Sequence, residues 1–136
     1  MSQVQTLQSA LAGEHAAQYG VGVAGGKLTG AKARAAESLY EEHRRRRDKL
    51  TDLLTAAGEK PVAAAPAYDL PLAVTNAVSA TSLILQIERR LAAVYGDLVE
   101  NAEQDPVRAL AVEYLLAVAA TQVRWGGGPA AFPGAN

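Results

Sequence analysis

The stretch KPVAAAPAYDLPLAVTN, residues 60–76, decides how the rest of this chain can be arranged. Its three prolines, at positions 61, 66 and 71, prevent a helix, because proline lacks the backbone donor and clashes with the preceding turn. A connection of this length without secondary structure is uncommon in a compact domain, where it serves as a crossover or a functional loop. The apolar residues spread along it predict that the segment packs against the domain. We therefore predict a crossover over residues 58–78.

Helices are predicted on both sides of the crossover, because apolar residues recur there every three or four positions. The predicted helices cover residues 3–28, 31–57, 79–102 and 105–125. Gly58 is expected to end the second helix, since glycine tolerates the positive φ found just past a helix end. The tail, residues 126–136, cannot continue the fourth helix and is expected to fold back over one end of the domain.

Two short turns and one long middle connection predict an all-α fold. The expected architecture is a single domain over residues 1–136, a four-helix bundle of two helical hairpins joined by the crossover, which is the ferritin-like arrangement. An up-and-down bundle with a detour in the chain is the alternative. Alanine accounts for 29 of the 136 residues, so small side chains dominate the core and allow helices to approach closely.

Composition excludes several classes of function. The chain has no cysteine, which removes disulfide frameworks, thiolate nucleophiles and zinc fingers. Its 13 basic and 14 acidic residues create no overall field that would attract nucleic acid or an anionic membrane. No run approaches the ~18 consecutive apolar residues of a membrane span, and the first residues lack the pattern of a signal peptide. We expect a cytoplasmic protein that binds neither nucleic acid nor membrane.

Several local strings carry a resemblance to a known family. They are LAGEHAAQYG (11–20), YEEHRRRRD (40–48), APAYDLP (65–71), IERRLAAVYGDLV (87–99) and RWGGGPAAFPG (124–134). Together they resemble a bacterial ferritin-like family, common in actinobacteria, whose members carry a domain of unknown function. The resemblance runs nearly end to end and implies the four-helix bundle. It implies no biochemical role, because the family has none assigned.

A metal site is the first candidate for function, since ferritin-like di-iron proteins place four glutamates and two histidines inside the bundle. Glu14 and His43 lie about equally far from the predicted turn near Thr29, so they are expected at the same level. Glu88 lies on the third predicted helix. On the fourth helix, the residues expected at the same level are alanines. Only Glu14, His43 and Glu88 remain as candidate ligands, for iron or manganese.

A buried polar cluster is the second interpretation of the same residues. An unpaired charge in a core costs several kcal/mol, so each inward carboxylate needs a donor. On the predicted helix faces the partners are a histidine, a phenol and a guanidinium. The predicted cluster consists of Glu14, Tyr40, His43, Arg47 and Glu88.

The run Arg44 to Arg47 does not predict a nucleic-acid interface. Four consecutive residues span the whole circumference of a helix, so they form no single basic face. At least one of them, Arg47, is expected to point inward. Neighbouring acidic residues at three and four positions pair with the others.

Two hypotheses for function follow. The first is a non-enzymatic structural, interaction or small-ligand-binding module, a homodimer with a degenerate metal site and no cofactor. The second is a metal-dependent oxidoreductase or metal-storage protein that uses Glu14, His43 and Glu88. Apolar edges of the bundle favour pairing with a second copy.

Overall fold

Four α-helices make up most of residues 1–127, the part of the chain that the computed structural model describes. They are α1 (Gln3–Gly25), α2 (Gly30–Ala56), α3 (Ala77–Asn101) and α4 (Asp105–Arg124). No strand occurs within these residues, so the all-α prediction is confirmed. Helix α1 ends three residues before its predicted end. The fold-back predicted for the tail concerns residues 126–136, and all of these except Gly126 and Gly127 lie outside the described residues.

The packing order places α1 and α3 at the centre of the bundle. Helix α1 packs against both α2 and α3, and α3 packs against α4. Within residues 1–127 the backbones of α2 and α4 make no close contact. As far as residues 1–127 show, the bundle therefore has one open seam, between α2 and α4.

The crossover lies along α1, on the outside of the bundle. The Gln8 side chain donates to the Lys60 carbonyl oxygen at 2.8 Å and accepts from the Val62 backbone N–H at 2.9 Å. The His15 ring Nε2 donates to the Val62 carbonyl oxygen at 3.0 Å. Further along, the Tyr68 ring packs against Tyr19 with 5.8 Å between centroids. This route carries the chain from the end of α2 back to the start of α3, as a crossover requires.

Two glycines allow α1 to approach α3 closely. A Cβ atom added at Gly20 would lie 2.5 Å from Ile87 Cδ1, and one added at Gly13 would lie 2.9 Å from Leu91 Cδ2. Both distances are shorter than real carbon contacts. The missing side chains leave room for the tips of Ile87 and Leu91 against α1, on either side of the level of Glu14.

Capping hydrogen bonds explain where helix α3 begins. It begins two residues before its predicted start at residue 79. Helix α3 starts at Ala77, because Asn76 accepts a hydrogen bond from the Ser79 N–H at 2.8 Å and the Ser79 hydroxyl accepts one from the Asn76 N–H at 3.1 Å. The chain after α2 turns at Gly58, whose φ of +78° confirms the predicted role of this glycine.

Helix α4 exposes an apolar stripe on the side opposite α3. Val112, Leu116 and Val123 form this α4 stripe, and Leu116 is 58% exposed. The buried residues of α4 are Val107, Ala111, Val118 and Thr121, which lie on the opposite face of the helix from the stripe. Among residues 1–127, α4 is the one helix whose length and composition would allow it to cross a membrane. The core helix of a soluble protein can meet the same two criteria.

Candidate functional site

Glu14, His43 and Glu88 meet in the centre of the bundle, each fully buried. The His43 ring lies between the two carboxylates. Its Nδ1 is 2.7 Å from Glu14 Oε1, and its Nε2 is 2.8 Å from Glu88 Oε1. Three helices, α1, α2 and α3, therefore converge on one imidazole. The spacing from the first turn places Glu14 and His43 at the same level, as predicted.

Tyr95 and Arg46 complete this group. The Tyr95 hydroxyl donates to Glu14 Oε2 at 2.9 Å. The Arg46 side chain is 6% exposed, and its Nη1 lies 3.8 Å from the same carboxylate oxygen. We call these five residues the core cluster: Glu14, His43, Arg46, Glu88 and Tyr95.

Tyr40 and Arg47, predicted from the sequence to join the cluster, lie outside it. Arg47 is 29% exposed on its side chain, forms an ion pair with Asp48 at 2.9 Å and donates to Gln18 Oε1 at 2.9 Å. Tyr40 is half-buried against Gly22. The predicted inward positions, 40 and 47, each come one residue after a buried position, 39 or 46.

The buried face of α2 explains this difference. It consists of Ala36, Leu39, His43, Arg46, Leu50 and Leu54. These residues follow one another at intervals of three or four positions, as on any helix face. The face includes Leu39 and Arg46, whereas the prediction had the adjacent Tyr40 and Arg47. Leu39 could have identified the buried face of α2 from the sequence, because its side chain is wholly apolar and that of the adjacent Tyr40 is not.

Both nitrogens of the His43 ring face carboxylates, so the ring can satisfy both only as a doubly protonated donor. Burial by itself lowers the pKa of His43. The charges and hydrogen bonds of Glu14 and Glu88 outweigh burial, and the pKa rises from 6.5 to about 9. At neutral pH the imidazolium and the Arg46 guanidinium balance the two carboxylates. The core cluster is therefore neutral as a whole.

Tyr95 acts as a permanent donor in the cluster. Burial raises the pKa of Tyr95 well above 10, and the nearby Glu14 carboxylate raises it further. The phenol therefore keeps its proton at neutral pH and donates a hydrogen bond to Glu14.

Arg46 connects the cluster to α4. Its guanidinium carbon lies 5.6 Å from the centroid of the Tyr114 ring, a cation–π contact. Tyr114 in turn packs edge-on against Tyr95, with 5.6 Å between centroids. Within residues 1–127, Arg46 Nη1 and Glu88 Oε2 have no hydrogen-bond partner. Arg46 is thus attracted to Glu14 by charge across 3.8 Å, without a hydrogen bond.

The residues present do not fit the metal centre that the ferritin-like resemblance implies. The two nitrogens of an imidazole point in opposite directions, and here each is bonded to a carboxylate, so Glu14, His43 and Glu88 do not converge on one ion. No group of three metal-binding side chains is found in residues 1–127. Arg46 already neutralises Glu14, and on α4 the carboxylate of Glu113 is exposed.

The geometry also limits what the cluster can do chemically. Glu14, His43, Glu88 and Tyr95 have no exposed surface, so a substrate cannot reach them in this conformation. Their hydrogen bonds link three helices within the core. The arrangement stabilises the relative positions of α1, α2 and α3.

We predict that Tyr95→Phe destabilises the protein by about 1–3 kcal/mol, because the buried Glu14 carboxylate loses a donor. Urea unfolding measures the change. Tyr114→Phe is the matched control, because this half-buried ring contacts Tyr95 and donates nothing to Glu14. Equal losses in the two variants would contradict the role assigned to the Tyr95 hydroxyl.

We also predict that stability falls as pH rises. The folded pKa of His43, about 9, lies above its ordinary 6.5, so folding binds a proton between these values. This contribution is complete below about pH 6.5 and is lost as pH rises through 9. Over that interval the free energy of unfolding decreases by roughly 3 kcal/mol.

Urea unfolding at a series of pH values tests this dependence. His43→Gln is expected to lose most of the pH dependence, whereas His15→Gln, at a residue bonded only to the crossover, keeps it. A wild-type protein whose stability does not change across the interval would show that His43 is not held as an imidazolium.

Comparison with known proteins places the chain in a family. A family model described as a domain of unknown function, DUF4439, matches residues 6–136. The crystal structure of a conserved hypothetical protein, rv2844, from Mycobacterium tuberculosis is similar, with 33% sequence identity, a TM-score of 0.88 and 96% of each chain covered. No curated protein matches. The chain therefore belongs to the DUF4439 family, whose function is unknown.

Proposed function

We propose that this protein is a ferritin-like helical bundle that binds no metal in its core and acts by binding other molecules, without catalysis. The observation that carries the proposal is the His43 ring, whose two nitrogens are both bonded to buried carboxylates at 2.7 Å and 2.8 Å. A ligand nitrogen must offer its lone pair to a metal. A doubly protonated imidazole has none to offer.

The positions of the core residues support the ferritin-like part of the proposal. Ferritin-like metal proteins place inward carboxylates and histidines at the middle of a bundle with a long crossover. Glu14, His43 and Glu88 occupy such places on α1, α2 and α3. In those proteins metal cations neutralise the carboxylates, whereas here the Arg46 guanidinium and the His43 imidazolium do so.

Metal binding for oxidation or storage is the alternative. It would use Glu14, His43 and Glu88 with iron or manganese. For one ion to bind all three, the His43 ring would have to release a carboxylate and lose its proton. Arg46 would also have to leave Glu14, which lies 3.8 Å away in the core.

We predict that neither ferrous iron nor manganese raises the melting temperature of the metal-free protein. A ligand that binds only the folded state at 100 times its Kd adds about 2.7 kcal/mol, a shift of several degrees for a chain of this size. Circular dichroism under anaerobic conditions measures the shift, and elemental analysis gives the metal content. A rise of several degrees that disappears in His43→Gln would favour the alternative.

We further propose that the protein is a homodimer that pairs through the α4 stripe. Val112, Leu116 and Val123 lie on one face of a single helix, and Leu116 is 58% exposed. Such a stripe is complementary to its own copy across a two-fold axis, which is the usual symmetry of a dimer. Pairing α4 with α4 of a second copy would cover these side chains.

Sedimentation equilibrium tests the dimer. We predict twice the chain mass of 14.2 kDa for the wild type and the single mass for Leu116→Glu. Val78→Glu is the matched control, since Val78 is 76% exposed on α3 and lies outside the stripe, and it is expected to remain dimeric. A monomeric wild type at millimolar concentration contradicts the proposal.

A further inference from the structure

The open seam between α2 and α4 forms a groove of about 630 Å³. Residues of α2 between positions 31 and 45 line one side, and Arg124, Trp125 and Gly126 line the other. Thr81 of α3 lies between them. The volume falls within the range of about 300–1,000 Å³ that is typical of small-molecule sites. We call this feature the α2–α4 groove.

Small and apolar residues give the groove its width and its walls. On α2 the lining includes Ala31 and Ala35, whose short side chains leave space above them. Leu39 of α2 and Trp125 at the end of α4 are both buried and supply the apolar surfaces. Leu39 is 3% and Trp125 is 9% exposed, so each offers the groove an apolar edge.

The charges of the groove favour an anion. Three of its lining residues are cationic, namely Lys32, Arg45 and Arg124, and among residues 1–127 Glu42 is the one carboxylate that lines it. The Glu42 carboxylate also lies 3.9 Å from the core residue Arg46. Within residues 1–127 the three cations form no ion pair with a carboxylate at 4.0 Å or less.

The start of α2 adds to this positive potential. Its N-cap residue, Thr29, makes no side-chain hydrogen bond to the first turn. Ala31 and Lys32, which belong to that turn, line the groove. The first backbone N–H groups of a helix have no partner within the helix and carry a partial positive charge.

We propose that the α2–α4 groove binds a small organic anion with an apolar body, such as an aromatic carboxylate. Arg45 and Arg124 pair with the anionic group, and the apolar body packs against Trp125 and Leu39. This inference rests on the proposed binding function and names the class of ligand. The site is separate from the core cluster.

Anilinonaphthalene sulfonate is a suitable probe, because it combines an anionic group with a flat aromatic body. Trp125 is the single tryptophan of the chain, so its emission reports on binding by energy transfer to the probe. We expect saturable binding of one probe per chain. Uncharged N-phenylnaphthylamine, which has the same aromatic body, is expected to bind roughly tenfold more weakly.

Charge variants test which residues hold the anion. Combining Arg45→Gln with Arg124→Gln is expected to weaken probe binding by roughly tenfold and to leave binding of N-phenylnaphthylamine unchanged. Arg44→Gln is the matched control, because Arg44 is exposed on α2, pairs with Glu41 at 3.1 Å and does not line the groove. Leu116→Glu controls for binding of the probe to the α4 stripe, and is expected to leave the affinity unchanged.

Each outcome bears on one proposal. No saturable binding to the wild type, equal affinity for the two probes, or unchanged affinity in the double arginine variant overturns the groove assignment. Loss of affinity in Leu116→Glu also overturns it, because the probe would then be bound to the stripe. Metal binding in the core would overturn the proposed function and leave the probe result as it stands, so the two failures are distinguishable.

Discussion

The position of His43 between two buried carboxylates is the constraint on which the rest of this bundle depends. Helices α1 and α3 each bury a glutamate completely, and an unpaired buried charge costs several kcal/mol. A doubly protonated imidazole offers N–H groups on opposite sides of one small ring, so it can serve both carboxylates. Helix α2 must therefore lie where His43 reaches Glu14 and Glu88 together. Gly13 and Gly20 of α1 contribute, because they leave room for the Leu91 and Ile87 side chains of α3.

The fourth helix is held differently, and this difference places the candidate functions at the periphery. Helix α4 donates no hydrogen bond to a side chain of the core cluster; its Gln122 side chain donates to the Glu88 backbone carbonyl at 3.4 Å, and its Tyr114 ring packs on Tyr95 and lies beneath Arg46. The Arg46–Tyr114 contact links α2 to α4 beside the cluster, and towards the start of α2 these two helices line a groove. The outer side of α4 likewise presents apolar residues that no part of residues 1–127 covers. The two proposed binding surfaces thus lie around a closed, neutral core.

Much of the candidate site could be predicted from local spacing. Glu14 and Glu88 fall on the apolar faces of their helices, and the short first turn fixes the level of His43 relative to Glu14. The identity of the inward arginine could not be obtained in this way. Arg46 and Arg47 follow His43 by three and four positions, and both steps are compatible with one helix face. Packing against Tyr114 and Glu14 selects Arg46, and neither contact is visible in the sequence of α2.

The sequence by itself determined the four helices, the crossover and the meeting of Glu14 with His43, because these depend on periodicity, on proline and on the length of one turn. The tertiary structure alone decided that His43 bonds through both nitrogens, that Tyr95 rather than Tyr40 supplies the phenol, and that a groove separates α2 from α4. Those features depend on the rotation of each helix about its axis and on the distance between helices. Both are set by side chains that are far apart in the chain.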